Sequence, residues 1–587
     1  MCETVTAFET IETDVLILGS GGAGLMAAIH CFDANPGLDI TIAVKGLLGK
    51  CGCTRMVQGG YNVAIAEGDS IERHFMDSIE GGKWINNQDL SWRLVVEAVS
   101  CISKLENKFG CFFDRNPDGT VHQKAFAGQT FDRTVHKGDL TGIEIINRLA
   151  EQVWSRGINR LEEHRAIAFV RDKSGAQLAG AVLINMRDGS FTFVKAKAVL
   201  LGTGGGPTMY RYHTPSGEKT CDGMVMALRQ GLSLRDMEMV QFHPTGLLAG
   251  VDTRMTGTVL EEGLRGAGGY LLNGDEQRFM EDYDPRGERA TRDIVSRAMY
   301  EEIRKGKITP NGGLYISMGH LGREEVTRKF KGMVERCADC GFDLAGGLVE
   351  VVPTAHYMMG GLVFNQDCST ELPGLFAAGE DTGGVHGANR LGGNGVANST
   401  VFGSIAGVSL ADYASTADSF HDPDLTQVEA AIEAVLKPFR NPAGDLNALR
   451  EELLTLMWEK VGILRNADDL NAALVHLDAL EGRLHKCGIG DQSRTFNLTW
   501  HDWINLESQI VVSRVIVHAA LAREDSRGAH FREDFPDTGD LEKSRFTCVS
   551  LKENHLQVTT EPVEFTIVKP GQSLIGDSPV EPPNKEF

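Results

Sequence analysis

The sequence lacks the features that mark nucleic-acid-binding and membrane-spanning chains. Its 58 lysines and arginines are outnumbered by 80 aspartates and glutamates, and the formal net charge of −22 repels phosphate backbones. It has no uninterrupted run of about 18 apolar residues, the length that spans a bilayer. Its N-terminal segment, MCETVTAFETIETD, lacks the basic and apolar regions of a signal peptide. We therefore expect a cytoplasmic protein without nucleic-acid partners and without direct membrane insertion.

Cysteine is too sparse to form the framework of a secreted disulfide protein. Twelve cysteines are spread over 587 residues, which favours a reducing compartment. The closest pairs, Cys51 with Cys53 and Cys337 with Cys340, have no second thiol pair at zinc-site spacing. We predict free thiols and no metal site, and no cysteine array in the chain could hold an iron–sulfur cluster.

Glycine is abundant and clustered, and its first cluster follows a short apolar run. Residues 14–18, DVLIL, predict a strand; the turn GSGGAG follows, and LMAAIHCF then has a helical pattern. In this order Gly19 permits a tight turn, Gly21 lets backbone amides approach a pyrophosphate, and Gly24 lets the helix lie close to the strand. A diphosphate would bind at the positive end of that helix.

The next strands predict a ligand larger than a nicotinamide dinucleotide. After ITIAV at 40–44, Lys45 stands near the place where an NAD site has an acid, and it is a candidate for a phosphate or ribose. Two further apolar runs, within 198–207 and 374–381, also end in glycine-rich or acidic turns. We expect one sheet whose cofactor is contacted from along the whole chain, which FAD fits best.

Five later segments carry histidine, arginine or acid next to glycine or proline. They are QFHPTG, LEEGLRGAGG, RATRDIVSRAM, PTAHYMMGG and GANRLGGNG, which carry His243, Glu262, Arg265, Arg292, His356 and Arg390. Two imidazoles and a guanidinium that converge would bind a carboxylate, since arginine pairs with it through a planar fork. Glu262 and Arg265 share a helix face at their spacing and could pass a proton, or they could form only a surface salt bridge.

Together these motifs resemble the flavoprotein subunits of succinate dehydrogenase and fumarate reductase, a family that includes L-aspartate oxidase. The resemblance runs from about residue 12 to about residue 550, and HAALAREDSRGAHFREDFP at 518–536 is typical of the respiratory-type subunits. It implies an α/β fold in which a Rossmann-like FAD-binding domain (1–242 and 352–425) is interrupted by a capping α+β domain (243–351). A helical domain (426–545) and a C-terminal tail (546–587) follow. We expect the proline-rich, polar tail to add nothing to a core.

The resemblance also implies a reaction and a set of roles. A hydride passes between flavin N5 and one carbon of a C4 dicarboxylate, and a proton moves at the neighbouring carbon. Arg292 matches the catalytic acid, although a purely electrostatic role stays open, and Glu262 with Arg265 matches its proton relay. The predicted substrate-binding residues are His243, His356, Arg390, Glu261 and Phe126. The predicted cofactor-binding residues are Gly19, Gly21, Gly24, Lys45, Thr54, Gln58, Gly59, Gly60, Thr203, Gly204, Asp222, Glu380, Gly395 and Val396.

The chain departs from the family pattern at the flavin attachment position. Respiratory members have a histidine bonded to the flavin 8α-methyl group where this sequence has Cys53. We expect FAD to be held without a covalent bond, with a cysteinyl link as the alternative. Because the histidyl link accompanies a higher flavin potential, its absence favours a reductase.

A second departure concerns the far end of the substrate. Glu261 replaces a threonine whose hydroxyl meets the second substrate carboxylate, and two carboxylates repel unless one is protonated or a cation lies between them. Either Glu261 turns away or the substrate differs there, by an amide, an amine or a larger group. Ala267 and Asn147 also replace an acid and a histidine of the family pattern.

The resemblance implies a small dicarboxylate-like substrate and an iron–sulfur partner subunit. One alternative is a stand-alone enzyme of the L-aspartate oxidase kind, in which dioxygen reoxidises the flavin. Another is a reductase of a modified enoate, given Glu261. A flavoprotein that only relays electrons is disfavoured, because such a protein has no need of Arg292, Glu262 and Arg265 together.

Overall fold

The computed structural model describes residues 7–250, 253–417 and 419–576. Their strands are β1 (Phe8–Leu18), β2 (Ile40–Val44), β3 (Tyr61–Asn62), β4 (Gln123–Lys124), β5 (Thr134–Val135), β6 (Asn159–Glu162), β7 (His164–Arg171), β8 (Leu178–Asn185), β9 (Phe191–Leu201), β10 (Leu234–Arg235), β11 (Val240–Leu247), β12 (Tyr270–Leu272), β13 (Leu314–Ser317), β14 (Leu348–Met358), β15 (Gly361–Leu362), β16 (Leu375–Ala377), β17 (Arg545–Lys552) and β18 (His555–Pro562). Their α-helices are α1 (Gly22–Ala34), α2 (Ile71–Gly81), α3 (Gln88–Asn107), α4 (Thr141–Ser155), α5 (Asp222–Arg229), α6 (Gly263–Gly266), α7 (Arg292–Arg304), α8 (Arg323–Lys329), α9 (Lys331–Asp339), α10 (Asn394–Thr416), α11 (Leu425–Leu436), α12 (Leu446–Lys460), α13 (Ala467–Leu484) and α14 (Leu498–Ala522).

The largest sheet has the order β6-β2-β1-β9-β8-β7, and β16 also pairs with β9. Leu18 pairs with Ala43 on one side and with Leu201 on the other, and both pairings are parallel. The carboxyl ends of β1, β2, β9 and β16 therefore meet at one edge, where ligands of such sheets bind. The prediction that the four apolar runs belong to one sheet is confirmed. β1 begins six residues before the predicted 14–18 because the long strand β9 pairs with it from Phe8 onward.

Helix α1 crosses close over the strand that precedes it. A Cβ placed on Gly24 would lie 1.9 Å from the carbonyl oxygen of Gly19, so only glycine permits this approach. Gly19 itself has φ +105°, which an L side chain adopts only with strain. The close crossing aims the N-terminus of α1 at the carboxyl edge of the sheet.

A second sheet, of order β11-β14-β13-β12, is antiparallel and lies against helices of the segment 263–339. Its two long strands, β11 and β14, pair with Phe242 opposite Ala355. His243 and His356, more than a hundred residues apart in sequence, therefore lie on neighbouring strands. This register is what brings the two predicted histidines together.

Helix α11 packs onto β7 and β8, and helices α12, α13 and α14 pack against one another, with the indoles of Trp500 and Trp503 buried. The expectation of a helical C-terminal domain is confirmed. Among the described residues one helix, α14, is long and apolar enough to cross a membrane, and 67% of its apolar window is buried within the protein.

The C-terminal hairpin contradicts the expectation that residues after 545 add nothing to a core. β17 and β18 extend a sheet with β10 and β15, and Phe546, Cys548 and Val549 are buried. The residues RFTCVSLK of β17 provide β-branched and aromatic side chains that suit a strand. Residues 577–587, which include most of the proline-rich end, lie outside the described residues.

Candidate active site

Two adjoining cavities open at the carboxyl edge of the large sheet. The larger has a volume of about 700 Å³ and the smaller of about 360 Å³, and both are lined by Gly21, Thr203 and Lys219. Predicted cofactor residues that line the larger cavity are Gly21, Thr54, Gln58, Gly59, Gly60, Thr203, Gly204, Glu380, Gly395 and Val396. The smaller cavity is lined by Gly19, Lys45 and Asp222. Gly24 lines neither cavity and packs against Gly19.

The lining suits an elongated dinucleotide such as FAD. A Cβ placed on Gly21 would have no atom nearer than the Thr54 hydroxyl at 3.6 Å, so the turn leaves room for a ligand beside the backbone. The Thr54 hydroxyl accepts a hydrogen bond of 3.1 Å from the amide of Gly22, at the first turn of α1. The Lys219 ammonium approaches the turn at Gly204, and it adds a cation next to this positive helix end.

Lys45 and Asp222 form an ion pair of 2.9 Å at the wall of the smaller cavity. Burial, partly offset by Asp222, lowers the pKa of Lys45 to about 8. Burial acts to raise the pKa of Asp222, but Lys45 and Arg165 outweigh it and hold that pKa at about 2. Asp222 is therefore an ionised acceptor at the wall of this cavity, where it suits the hydroxyl groups of a ribose.

At the far side of the larger cavity lies a group of hydrogen-bond donors. The rings of His243 and His356 are 5.4 Å apart, and the hydroxyl of Thr214 contacts His356 Nδ1 at 2.8 Å. Burial, and then the neighbouring Arg292 guanidinium, lowers the pKa of both imidazoles well below its usual range. The amide of Thr245 donates to His243 Nδ1 at 3.3 Å, which makes Nε2–H the donor of this neutral ring.

Arg390 is the cation of this group. Its guanidinium lies 4.2 Å from the ring centre of Tyr357, and its Nε has no hydrogen-bond partner among the described residues. Burial lowers the pKa of Arg390 to about 10, which leaves it charged at neutral pH. One cation and two neutral donors match the charge and lone pairs of a carboxylate.

Arg292, Glu262 and Arg265 form a continuous buried chain. Arg292 Nη2 donates to Glu262 Oε2 at 2.5 Å, and Arg265 Nη2 donates to Glu262 Oε1 at 3.1 Å. Arg265 is fully buried behind Glu262 and does not line the cavity. The alternative of a surface salt bridge between Glu262 and Arg265 is therefore wrong.

The charges in this chain set the state of the central carboxylate. Burial acts to raise the pKa of Glu262, but the two guanidiniums outweigh it and lower that pKa below its usual value. Burial lowers the pKa of Arg265, and Glu262 opposes this effect. The result is a carboxylate that is ionised between two arginines, of which only Arg292 reaches the cavity.

Glu261 is one of the residues that line the larger cavity. It is 6% exposed, and it forms an ion pair with the ammonium of Lys124. Lys124 also lies 5.8 Å from the ring centre of Phe126, which lines the same cavity. The Lys124 ammonium, which is not part of the cavity lining, therefore compensates the negative charge of Glu261.

Sequence reasoning missed Lys124 and two further residues of the site. The Gln241 side-chain oxygen accepts from Arg292 Nη1 at 2.9 Å. Arg336 of α9 lines the larger cavity and donates to the carbonyl of Val259 at 3.1 Å. Gln241 was detectable, because it lies two residues before His243 on the same face of a strand. Lys124 and Arg336 give no such signal, since they reach the site from the short strand β4 and from helix α9, which are distant from it in sequence.

Cys53 lines the larger cavity at the position where the family pattern has the flavin-linked histidine. Burial raises the pKa of its thiol to about 12. The thiol is therefore neutral at physiological pH, whereas the thiolate is the nucleophilic form of cysteine.

Comparison with known proteins agrees with this geometry. Residues 14–396 match a family model described as an FAD binding domain, and residues 450–574 match one described as fumarate reductase flavoprotein C-term. The chain is 40% identical to one of the subunits of the fumarate reductase (CoM/CoB) of Methanothermobacter marburgensis, over 90% of this chain and 96% of that one. It is 36% identical to the fumarate reductase flavoprotein subunit of Escherichia coli, over 90% of this chain and 89% of that one.

The chain belongs to the fumarate reductase and succinate dehydrogenase flavoprotein family.

The fold of this family is present throughout the described residues. A quinol fumarate reductase chain of E. coli superposes with a TM-score of 0.90 at 33% identity, over 96% of this chain and 99% of that one. The protein is thus an FAD-dependent oxidoreductase of the fumarate reductase type, with an FAD-binding α/β unit, a capping unit and a helical C-terminal region. When bound, FAD would supply the hydride chemistry of such an enzyme.

Proposed function

We propose that this flavoprotein reduces the central double bond of a small dicarboxylate, with fumarate as the reference substrate. The observation that carries this proposal is that a carboxylate-binding group and a proton-supplying chain share one cavity. His243, His356 and Arg390 hold one substrate carboxylate, while Arg292 faces the same space. Names of relatives, including fumarate reductase flavoprotein subunits of several bacteria, support this assignment.

In the proposed reaction Arg292 is the proton donor. Its guanidinium gives a proton to one alkene carbon, while a hydride would be added to the other. The hydride and its electron pair form one new C–H bond, and the π pair of the broken double bond takes the proton to form the second. Arginine is a weak acid in water, and the transfer is feasible only as carbanion character develops at that carbon. Glu262, which contacts both guanidiniums, then returns a proton to Arg292 from the direction of Arg265.

FAD is proposed to be bound without a covalent link. The neutral, buried thiol of Cys53 disfavours attack on the flavin. After acid precipitation of the holoprotein, all of the flavin should be in the supernatant. Yellow colour that stays in the pellet, with a flavin mass on the peptide containing Cys53, would establish the cysteinyl link instead.

Electrons are proposed to come from a separate iron–sulfur subunit in the cytoplasm. Relatives are named as subunits of larger reductases, and one solved relative is a quinol–fumarate reductase with menaquinol molecules. In the described residues no group of three or more histidine, cysteine or acidic side chains is placed to hold a metal. Copurification from a native source with a protein that carries iron and acid-labile sulfide would support the partner.

Glu261 supports a second candidate, a modified enoate that carries a hydrogen-bond donor at its far end. A carboxylate at the cavity wall repels a second substrate carboxylate, but it accepts a hydrogen bond from an amide or amine. Lys124 reduces the repulsion, and so fumarate stays the leading candidate.

The test is to photoreduce the purified holoprotein under argon, add fumarate, and follow the flavin absorbance. Rapid return of the oxidised spectrum, with succinate as the product, is expected. A flavin that stays reduced with fumarate but is reoxidised by fumaramate would replace the dicarboxylate assignment with the modified enoate. Reoxidation by dioxygen alone, with peroxide formed when L-aspartate is supplied, would favour an enzyme of the L-aspartate oxidase kind.

A further inference from the structure

Arg165, in β7, is a buried guanidinium with unused donors. It is 1% exposed, and Nη1 donates to the backbone carbonyl of His501 at 3.0 Å. Among the described residues Nε and Nη2 have no hydrogen-bond partner, although the Asp222 carboxylate lies 3.5 Å from Nη2. A buried cation with unsatisfied N–H groups is costly, so these donors indicate a ligand that the protein binds here.

His501, in α14, has the same property. It is 3% exposed, and neither of its ring nitrogens has a hydrogen-bond partner within the described residues. Burial, followed by the cations Arg165 and Lys45, lowers its pKa to about 3, and so the ring is neutral. A neutral imidazole presents one donor and one acceptor.

Both side chains line the smaller cavity, together with one face of α14. Leu498, His501, Asp502 and Asn505 are spaced three and four residues apart, which places them on the same side of the helix. The opposite part of the lining includes the Gly19–Gly21 turn and the side chain of Met226. The cavity thus combines an apolar surface for a flat ring with paired donors and acceptors at its edge.

We propose that Arg165 and His501 bind the adenosine half of FAD in the smaller cavity, while the flavin half occupies the larger one. The donor and acceptor of His501 complement a purine edge, which carries both kinds of group. Arg165 donates to oxygen atoms of the ribose or pyrophosphate. This inference rests on FAD as the cofactor and is independent of which enoate the enzyme reduces.

The consequence is that α14 helps to hold the cofactor. This helix lies in the segment that matches the C-terminal family model, beyond the match to the FAD-binding model at 14–396. A cofactor contacted by both segments ties the helical region to the large sheet. FAD binding should therefore raise the thermal midpoint of α14 together with that of the sheet, as one transition.

The test compares FAD with FMN, which lacks the adenosine half. The dissociation constant of each is measured by fluorescence on protein that has been stripped of flavin and refilled. His501→Ala and Arg165→Met should each raise the Kd for FAD at least tenfold and leave the Kd for FMN within twofold. His518→Ala, on the same helix but outside the cavity lining, is the matched control and should change neither constant.

Two further measurements keep the outcome clear if a variant folds poorly. On the wild-type chain, AMP should compete with FAD but not with FMN, because AMP is the part of FAD that FMN lacks. His501→Asn, which retains a donor and an acceptor, should recover most of the FAD affinity that is lost in His501→Ala. An unchanged ratio of FAD to FMN affinity in both His501→Ala and Arg165→Met, or AMP that fails to compete with FAD, overturns the inference. A wild-type protein that binds FAD but reduces no enoate would refute only the proposed function.

Discussion

At the scale of single residues, the site is organised by one carboxylate shared between two guanidiniums. Glu262 uses one oxygen for Arg292 and the other for Arg265, and all three side chains are buried. In a medium of low polarity such an arrangement holds the cavity-facing guanidinium in one orientation. The position of Arg292 is also set by Gln241 on a neighbouring strand.

Arg292→Ala should lower turnover of fumarate by about a thousandfold or more, since both the proton donor and its charge are lost. FAD binding should be unchanged, because the cofactor cavity is otherwise intact. Steady-state rates with a dye as electron donor measure the first effect, and flavin fluorescence titration measures the second. Retained turnover in a variant with normal FAD content would show that another group supplies the proton.

Charge at the far end of the cavity should control affinity for the dicarboxylate. Lys124→Met leaves Glu261 uncompensated and should raise the KM for fumarate about tenfold, whereas Glu261→Gln should lower it by a similar factor. The double variant should be close to the wild type, because the two charges are removed together. Lys137→Met, which removes a cation paired with Asp114 instead, is the control.

The neutral analogue fumaramate separates the two candidate substrates. If the wild type prefers fumaramate and Glu261→Gln reverses that preference, then Glu261 selects substrates that carry a hydrogen-bond donor at their far end. A KM for fumarate that is the same in all of these variants would mean that the Lys124–Glu261 pair does not face the substrate.

At the scale of elements, function depends on how closely α1 approaches β1. The approach leaves no room for a side chain at Gly24, and it places the first turn of α1 at the edge where four strands end. The positive end of α1 and the glycine turn therefore lie together at the cofactor cavity.

Gly24→Ala should destabilise the protein by about 3 kcal/mol, because the new methyl group overlaps a backbone oxygen that cannot move without displacing the strand. Gly482→Ala, in the interior of α13 with no atom within 4 Å of the new Cβ, should stabilise by about 0.5–1 kcal/mol. Thermal midpoints from circular dichroism of both variants provide the comparison. Equal midpoints for the two would show that α1 shifts to accept the methyl group.

At the scale of the whole molecule, a buried ionic cluster joins three regions. Asp236 and Glu238, next to β10 and β11, share the single guanidinium of Arg523, which follows α14. The amide of Thr547 in β17 donates to Asp236 at 2.9 Å. Two carboxylates with one shared cation leave excess negative charge in the interior, and burial followed by Glu238 raises the pKa of Asp236 to about 7.

This raised pKa predicts a pH dependence of stability. A carboxyl group whose pKa is higher in the folded state contributes stability that is fully present below its unfolded pKa, near 4, and is lost as pH rises through about 7. Asp236→Asn should remove this contribution. Between pH 5 and pH 8, the free energy of unfolding of the wild type should therefore fall steadily relative to that of the variant. Denaturant titrations at four pH values test it, and parallel pH profiles would contradict the assignment.

The sequence alone determined the family and the cofactor. It also predicted most of the residues named here as the candidate site, and most of these line the two cavities. Glycine turns after apolar runs are local signals, since strand, turn and helix are formed by neighbours in the chain. The structure confirmed the sheet that these signals predicted, and the comparisons confirmed an FAD-dependent oxidoreductase of the fumarate reductase type. The sequence also contained the β-branched and aromatic residues of β17, which favour a strand, but the polar, proline-rich composition of the whole tail led to the wrong expectation.

Only the tertiary structure decided which charges face each other. The compensation of Glu261 by Lys124, the burial of Arg265 and the orphaned nitrogens of Arg165 and His501 all depend on pairs of segments that are distant in sequence. Such contacts leave no periodicity or spacing in the chain, because they are set by the register of β11 on β14 and by the packing of α14 on the large sheet. The energy of a charge depends on its partner and its burial, and both are properties of the folded molecule.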